Sequence, residues 1–192
     1  MLNQSFVDRI NSKFPDSKAT LIEREASDPV LVVEPKSLKA VAQYLKDEPD
    51  IFMNVLQVVT GCDYSDRIEV SYILCSYPSG NEIILRVKLD RQKPEVESLD
   101  SLWKAANFQE RECFDMLGVK FLNHPDPRRI LCPDDWEGFP LRKDYVAAKS
   151  YRNMEIYPPE KTNLSEREFA KKQKSKAGSS GSEQDHQEAQ ES

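Results

Sequence analysis

Ile68-Glu69-Val70-Ser71-Tyr72-Ile73-Leu74, Tyr77-Pro78-Ser79-Gly80-Asn81 and Ile83-Ile84-Leu85-Arg86-Val87-Lys88-Leu89 together decide the fold. Ile68, Val70, Tyr72 and Leu74 recur with a period of two, which places large apolar side chains on one face of a strand. Ile83, Leu85, Val87 and Leu89 alternate with Arg86 and Lys88, so the next strand keeps one side wet. The five residues between are turn formers, and two alternating runs joined this way make a hairpin. Upstream, Phe52 to Thr60 is rich in Val and Leu and reads as a strand buried on both faces.

Moving outward, Phe6, Val7, Ile10 and Phe14 fall at helical spacing, and Pro15 ends that helix. Thr20 to Glu25 and Leu31-Val32-Val33 read as short strands, the second closed by Pro35. Ser37 precedes Leu38, Val41, Ala42 and Leu45, an amphipathic helix stopped by Pro49. Residues 98–117 read as a third helix, with Leu99, Leu102, Trp103, Ala106, Cys113, Phe114 and Leu117 on one side. Ser98 or Asp100 is the expected cap and Gly118 the expected end. Glu110 falls on the same apolar side, either at its edge or as a buried carboxylate paired to an arginine. The expected class is α+β, with helices packed on a small antiparallel or mixed sheet.

After Gly118 the periodicity disappears. Residues 123–145 hold Pro125, Pro127, Pro133, Gly138 and Pro140, interspersed with Ile130, Leu131, Trp136, Phe139 and Leu141. Prolines stiffen such a segment and the large apolar residues anchor it, so it reads as an extended arm ordered against its own domain or a partner. From Ser165 the composition is too polar to bury a core and implies a disordered tail. The expected organisation is a domain over 1–119, an arm over 120–164 and a tail over 165–192.

Composition narrows the function. A net charge of −6 and a pI near 5.1 argue against a general nucleic-acid binder. No apolar run approaches the roughly 20 residues needed to span a bilayer. The N-terminus lacks both the features of a secretory signal and the arginines of a mitochondrial presequence, which implies a bacterial-type cytoplasm. Cys62, Cys75, Cys113 and Cys132 are separated by 13, 38 and 19 positions. Metal and cluster sites favour closely spaced thiols, so these read as reduced and mostly buried small hydrophobes.

The residues that could carry chemistry have plainer explanations. His124 could serve as a base beside Asp126 or Asp115, but His124-Pro125-Asp126-Pro127 has the composition of a turn, and no nucleophile elbow accompanies it. Six glycines, none in a phosphate-binding pattern, argue against nucleotide binding. Arg128-Arg129 and Arg142-Lys143 alternate with Asp126, Asp134, Asp135, Glu137 and Asp144. That mixture suits ion pairs inside the arm or across a protein interface.

As a pattern, Glu110-Arg111-Glu112-Cys113-Phe114-Asp115-Met116-Leu117-Gly118, then His124-Pro125-Asp126-Pro127-Arg128-Arg129-Ile130-Leu131, resembles the signature of the C subunit of bacterial NADH:quinone oxidoreductase. This is the counterpart of the thirty-kilodalton subunit of mitochondrial complex I. Pro133-Asp134-Asp135-Trp136-Glu137-Gly138-Phe139-Pro140-Leu141-Arg142-Lys143-Asp144-Tyr145 continues the likeness. Leu102 to Asn107 and Thr60 to Tyr64 are similar to family elements as well. It spans about residues 30 to 160. Phe139, where relatives commonly have His, and Pro127, where they often have Leu, depart from the pattern but leave its charges intact.

The resemblance implies a structural subunit of the peripheral arm, without a cofactor of its own and without catalytic or metal-binding residues. FMN and iron–sulfur clusters would sit in partner subunits, and the B and D subunits would be its neighbours. It would lie on the cytoplasmic side of the inner membrane and bind the membrane only through the complex. Electron transfer from NADH to a quinone such as ubiquinone, and the coupled proton transport, would belong to the assembly. The implied interface comprises Glu110, Arg111, Glu112, Asp115, His124, Arg128, Arg129, Asp134, Trp136, Arg142, Lys143, Asp144 and Tyr145. Of these, Glu110, Arg111 and Glu112 are expected to ion-pair the third helix to the arm. Three other readings stay open: the equivalent subunit of a membrane-bound hydrogenase or other-donor dehydrogenase, a stand-alone enzyme using His124, and a soluble adaptor.

Overall fold

The computed structural model of the chain describes residues 4–24 and 27–155. They fall into two compact units, the second beginning at Ala147. The first opens with helix α1 (Gln4–Lys13), strand β1 (Thr20–Arg24), strand β2 (Ser27–Val33) and helix α2 (Leu38–Asp47). Strands β3 (Val55–Asp63), β4 (Arg67–Ser76) and β5 (Asn81–Asp90) follow. They form one five-stranded sheet in the order β1-β2-β5-β4-β3, in which only β2 and β5 run parallel. The fold is α+β with a mixed sheet, as the alternation in the sequence implies.

Register explains the core. Leu31, Leu85, Tyr72 and Val59 pair across β2, β5, β4 and β3, so all four point to one face. All are buried together with Ile10 of α1 and with Leu38, Val41 and Leu45 of α2. Each fully buried side chain of this size contributes roughly 1.5–3 kcal/mol, which makes this layer the main source of stability. The next row, Ile22, Val30, Ile84, Ile73 and Val58, faces the other way and lies outside the core cluster.

Three sequence expectations need correction. β3 is an edge strand, so one face stays partly wet and Val58 is 41% exposed rather than buried on both sides. The third helix, α3, runs only over Ala106–Leu117. Leu99, Leu102 and Trp103 reach the core from turns in which Leu102 and Trp103 donate backbone N–H to Leu99 O. Ser98 and Asp100 therefore cap nothing at its start: Ser98 bonds Glu110, and Asp100 bonds Lys104 and Asn107. Finally, Lys120–Leu122 does not belong to the arm. It pairs in parallel, as strand β7, with strand β6 (Glu95–Glu97).

In the second unit, β8 (Ser150–Tyr151) and β9 (Met154–Glu155) form a hairpin. Arg152 and Asn153 have φ of 47° and 64°, the left-handed pair that a tight two-residue hairpin turn requires. The segments expected as the end of the arm (156–164) and as the tail (165–192) lie outside the described residues.

An unpaired edge is a template for strand addition. At β3, Gln109 of α3 takes the place of a neighbouring strand. Its side-chain oxygen accepts the N–H of Val59 and its amide donates to Gln57 O. Gly61 allows this close approach, since a Cβ there would meet Leu117 Cδ1 at 2.3 Å. Gln109→Ala should lower the free energy of unfolding in urea by about 1–2 kcal/mol through the unpaired edge groups, and an unchanged midpoint would contradict this role.

Candidate functional site

The last turn of a helix leaves its carbonyls without intrahelical donors. At the end of α3, Gly118 takes a left-handed φ of 75° and returns its N–H to Phe114 O. The other three carbonyls are met by residues 129–142. Arg129 donates to Asp115 O at 3.3 Å, the Leu141 N–H to Met116 O at 3.0 Å, and Arg142 Nε to Leu117 O at 2.6 Å. The arm is the C-terminal cap of α3.

Asp115 makes this junction more demanding. A carboxylate in the last turn opposes the helix dipole, and this one is fully buried. Arg129 donates to Oδ1 at 2.6 Å, while the N–H groups of Ile130, Leu131 and Cys132 converge on Oδ2 at 3.1, 2.7 and 2.8 Å. Burial pushes the pKa of Asp115 up, but the N–H of Cys132, the Arg129 guanidinium and the two other N–H groups outweigh it and hold the group below the usual range. Arg129 directs its remaining donors to Trp136 O and Gly138 O and lies over the Phe139 ring. Phe139 in turn covers Gly118, where a Cβ would meet the ring at 2.6 Å.

Two further contacts fasten the arm. Arg111 Nε and Nη2 donate to the carbonyls of Arg128 and Arg129, and Nη1 lies 3.3 Å from Asp126. The Arg128 guanidinium holds Asp126 down at about 2. At the sheet end, buried Asp63 accepts two bonds from Arg91 and the N–H of Lys143, while Arg91 also reaches Asp144 at 2.7 Å. Tyr145 donates its N–H to Arg142 O and its ring covers Gly138. The Trp136 backbone N–H meets Pro133 O, and Asp134 is exposed.

Glu110 is fully buried, yet its partners are the Ser98 hydroxyl at 2.6 Å and the Leu99 N–H at 2.8 Å, and no arginine. Asp115 takes the arginine instead, because it lies more than one turn closer to the arm. Burial pushes Glu110 up to about 7. Glu112 is exposed and, among the described residues, makes no ion pair with the arm, so of the three charges expected to pair α3 with the arm Arg111 is the one seen to do so there. His124 is the turn residue that its neighbours suggest. Its Nδ1 accepts the Asp126 N–H, which leaves the proton on Nε2, facing Asn107 O at 3.1 Å and 3.9 Å from Glu110. Of the cysteines only Cys113 is buried, its thiol pushed up to about 12 by burial; Cys62 is exposed and the others lie between. Among the described residues, no group of three or more His, Cys, Asp or Glu is placed to hold a metal ion. The roles of Arg91 and Gln109 had no local signal in the sequence.

The profile of the family described as respiratory-chain NADH dehydrogenase, 30 Kd subunit, matches residues 31–151. The chain belongs to this family. A relative in Moorella thermoacetica, the C subunit of NADH-quinone oxidoreductase, is 49% identical over 144 residues, covering 73% of this chain and 93% of its own. Among solved structures, a trypsin-resistant fragment of Nqo5 is 24% identical with a TM-score of 0.55, over 64% of this chain and 97% of that one. A chain of the membrane-bound sulfane sulfur reductase, an archaeal respiratory membrane complex, is 21% identical with a TM-score of 0.62, over 82% and 96%. Both share the fold. The family match covers α3, β7 and the capping arm together.

Asp115→Ala should cost about 3–5 kcal/mol, because Arg129 and three buried N–H groups lose their acceptor. Limited proteolysis should then cut first within 123–146, and an uncut arm would contradict the cap. Titration gives a second expectation. The depressed Asp115 and Asp63 contribute stability above the pKa of an exposed carboxylate and lose it as pH falls through their own lower values. Glu110 acts oppositely: its contribution is complete below about pH 4 and is lost as pH rises toward 7, by about 3 kcal/mol in all. Stability should therefore peak at about pH 4–5, and Glu110→Gln should flatten the alkaline side. A wild-type plateau from pH 5 to 8 would refute it.

Proposed function

We propose that this chain is a structural subunit of the peripheral arm of a proton-pumping NADH:quinone oxidoreductase, and that its capping arm docks onto neighbouring subunits. One observation carries the reading. The arm is fixed by its backbone and by arginines, while several of its apolar side chains point away unused: Leu131 and Leu141 are 62% exposed and Val146 is 87% exposed. A folded domain that rigidifies an irregular segment and leaves such side chains outside presents a preorganised contact surface.

In this reading the chain carries no redox group and supplies no catalytic residue. FMN and iron–sulfur clusters belong to partner subunits, with the B and D subunits as the neighbours. No described helix is long and apolar enough to cross a membrane; attachment to the inner membrane, on the cytoplasmic side, runs through the complex. The 49% identity to a C subunit across most of both chains supports NADH as donor over the sulfane sulfur reductase type, where the likeness is one of fold. His124 gives no support to a stand-alone enzyme, since one ring nitrogen holds the turn and the other faces the Asn107 carbonyl of α3.

Affinity purification of the tagged chain from native membranes should recover flavin- and cluster-bearing subunits with NADH:quinone activity. A chain carrying Leu131→Asp and Leu141→Asp, changes at exposed side chains that leave the cap intact, should keep its fold by circular dichroism but recover far less of them. Incorporation of this variant at the wild-type level would overturn the docking role.

A further inference from the structure

Between α3, β7 and the turn that opens the arm lies a cavity of about 220 Å³. Phe114, Phe121 and Pro127 form its walls. Its floor is closed by Glu110 and His124, whose polar atoms are already engaged with Ser98, Leu99, Asn107 and the Asp126 N–H. Arg111 and Lys120 complete the lining, which is nonetheless predominantly apolar, and such a site takes an apolar guest in preference to water. An apolar cavity of ~150 Å³ accepts benzene, so this one has room for a single large side chain.

The mouth says what should flank that side chain. Lys120 is mostly exposed, and its pairing with Glu95 at 3.3 Å is a surface ion pair shared with Lys93. Such pairs contribute little and exchange readily for a better acceptor. Arg128, next to Pro127, is also mostly exposed, and its partner Asp126 is shared with Arg111. Around the mouth, Lys93, Lys120 and Arg128 are far more exposed than the acids they pair with, Glu95 and Asp126, and Asp134 also acts on Arg128, so the charge turned outward beside the opening is mainly positive.

We infer that this cavity receives one aromatic or large aliphatic side chain from a partner subunit, on a segment that sets a carboxylate beside it to meet Lys120. The inference rests on the chain being a subunit of a larger complex, as proposed above. Because Pro127 and His124 belong to the turn that starts the arm, an occupied cavity also braces the arm where it leaves β7.

Zero-length carbodiimide coupling of the intact purified complex, followed by peptide mass spectrometry, tests this directly. Lys120 should join an Asp or Glu of another subunit that lies within two residues of a large apolar one. Lys120→Gln removes the exposed charge without setting a second carboxylate opposite Glu95 and should leave the unfolding midpoint close to that of the wild type. In competition with wild-type chain it should enter the complex about fivefold less well, the size of one surface charge contact. Coupling of Lys120 to Glu95 alone, or to a second copy of this chain, would overturn the inference, as would equal incorporation of the variant. If the wild-type chain recovers no other subunit, the functional reading falls and this one with it; if it does while Lys120 finds no partner, only the cavity assignment falls.

Discussion

The negative end of α3 is the constraint on which the rest of the site depends. Three carbonyls and the carboxylate of Asp115, itself closed to water, meet within one turn. Left alone, that concentration of acceptors would cost several kcal/mol. Arg129, Arg142 and four backbone N–H groups of residues 130–141 supply the missing donors. Helix and arm are therefore one structural unit: neither has its polar groups satisfied without the other.

This explains how a segment without regular secondary structure keeps a fixed shape. Its carbonyls are used as well as its N–H groups, since Arg111 reads two and Arg129 two more. Phe139, with both Arg129 and Arg142 within 5.4 Å of its ring centre, also lies on Gly118 and ties the two arginines to the helix end. With the polar atoms turned inward, several large apolar side chains remain outside. The arm thus presents a surface whose conformational entropy has already been lost before any partner arrives.

Much of the sheet was legible in the sequence because a period of two and a proline-glycine turn are local signals. Strand order was not, because nothing local says that β2 pairs with β5 across more than fifty positions. The early start expected for α3 illustrates the limit of periodicity: Leu99, Leu102 and Trp103 have helical spacing because two successive turns also return the chain every three or four residues. At the site, the charged types and the anchoring role of the arm were readable from composition. Which carboxylate takes which arginine was not. Glu110 and Asp115 are both acids on one helix, and only the arm's position separates a carboxylate held by a hydroxyl from one held by a guanidinium.

The amide of Gln109 on the edge of β3 has a consequence during synthesis. The five-stranded sheet is complete in the sequence at Asp90, whereas its guard follows 19 positions later. At ~5–20 residues per second a ribosome needs about 1–4 s to cover that distance. During that interval the β3 edge of a nascent chain is bare, as well as the β1 edge at the far side of the sheet. On a crowded polysome, strand-to-strand association between copies through β3 would begin there, before its guard is made.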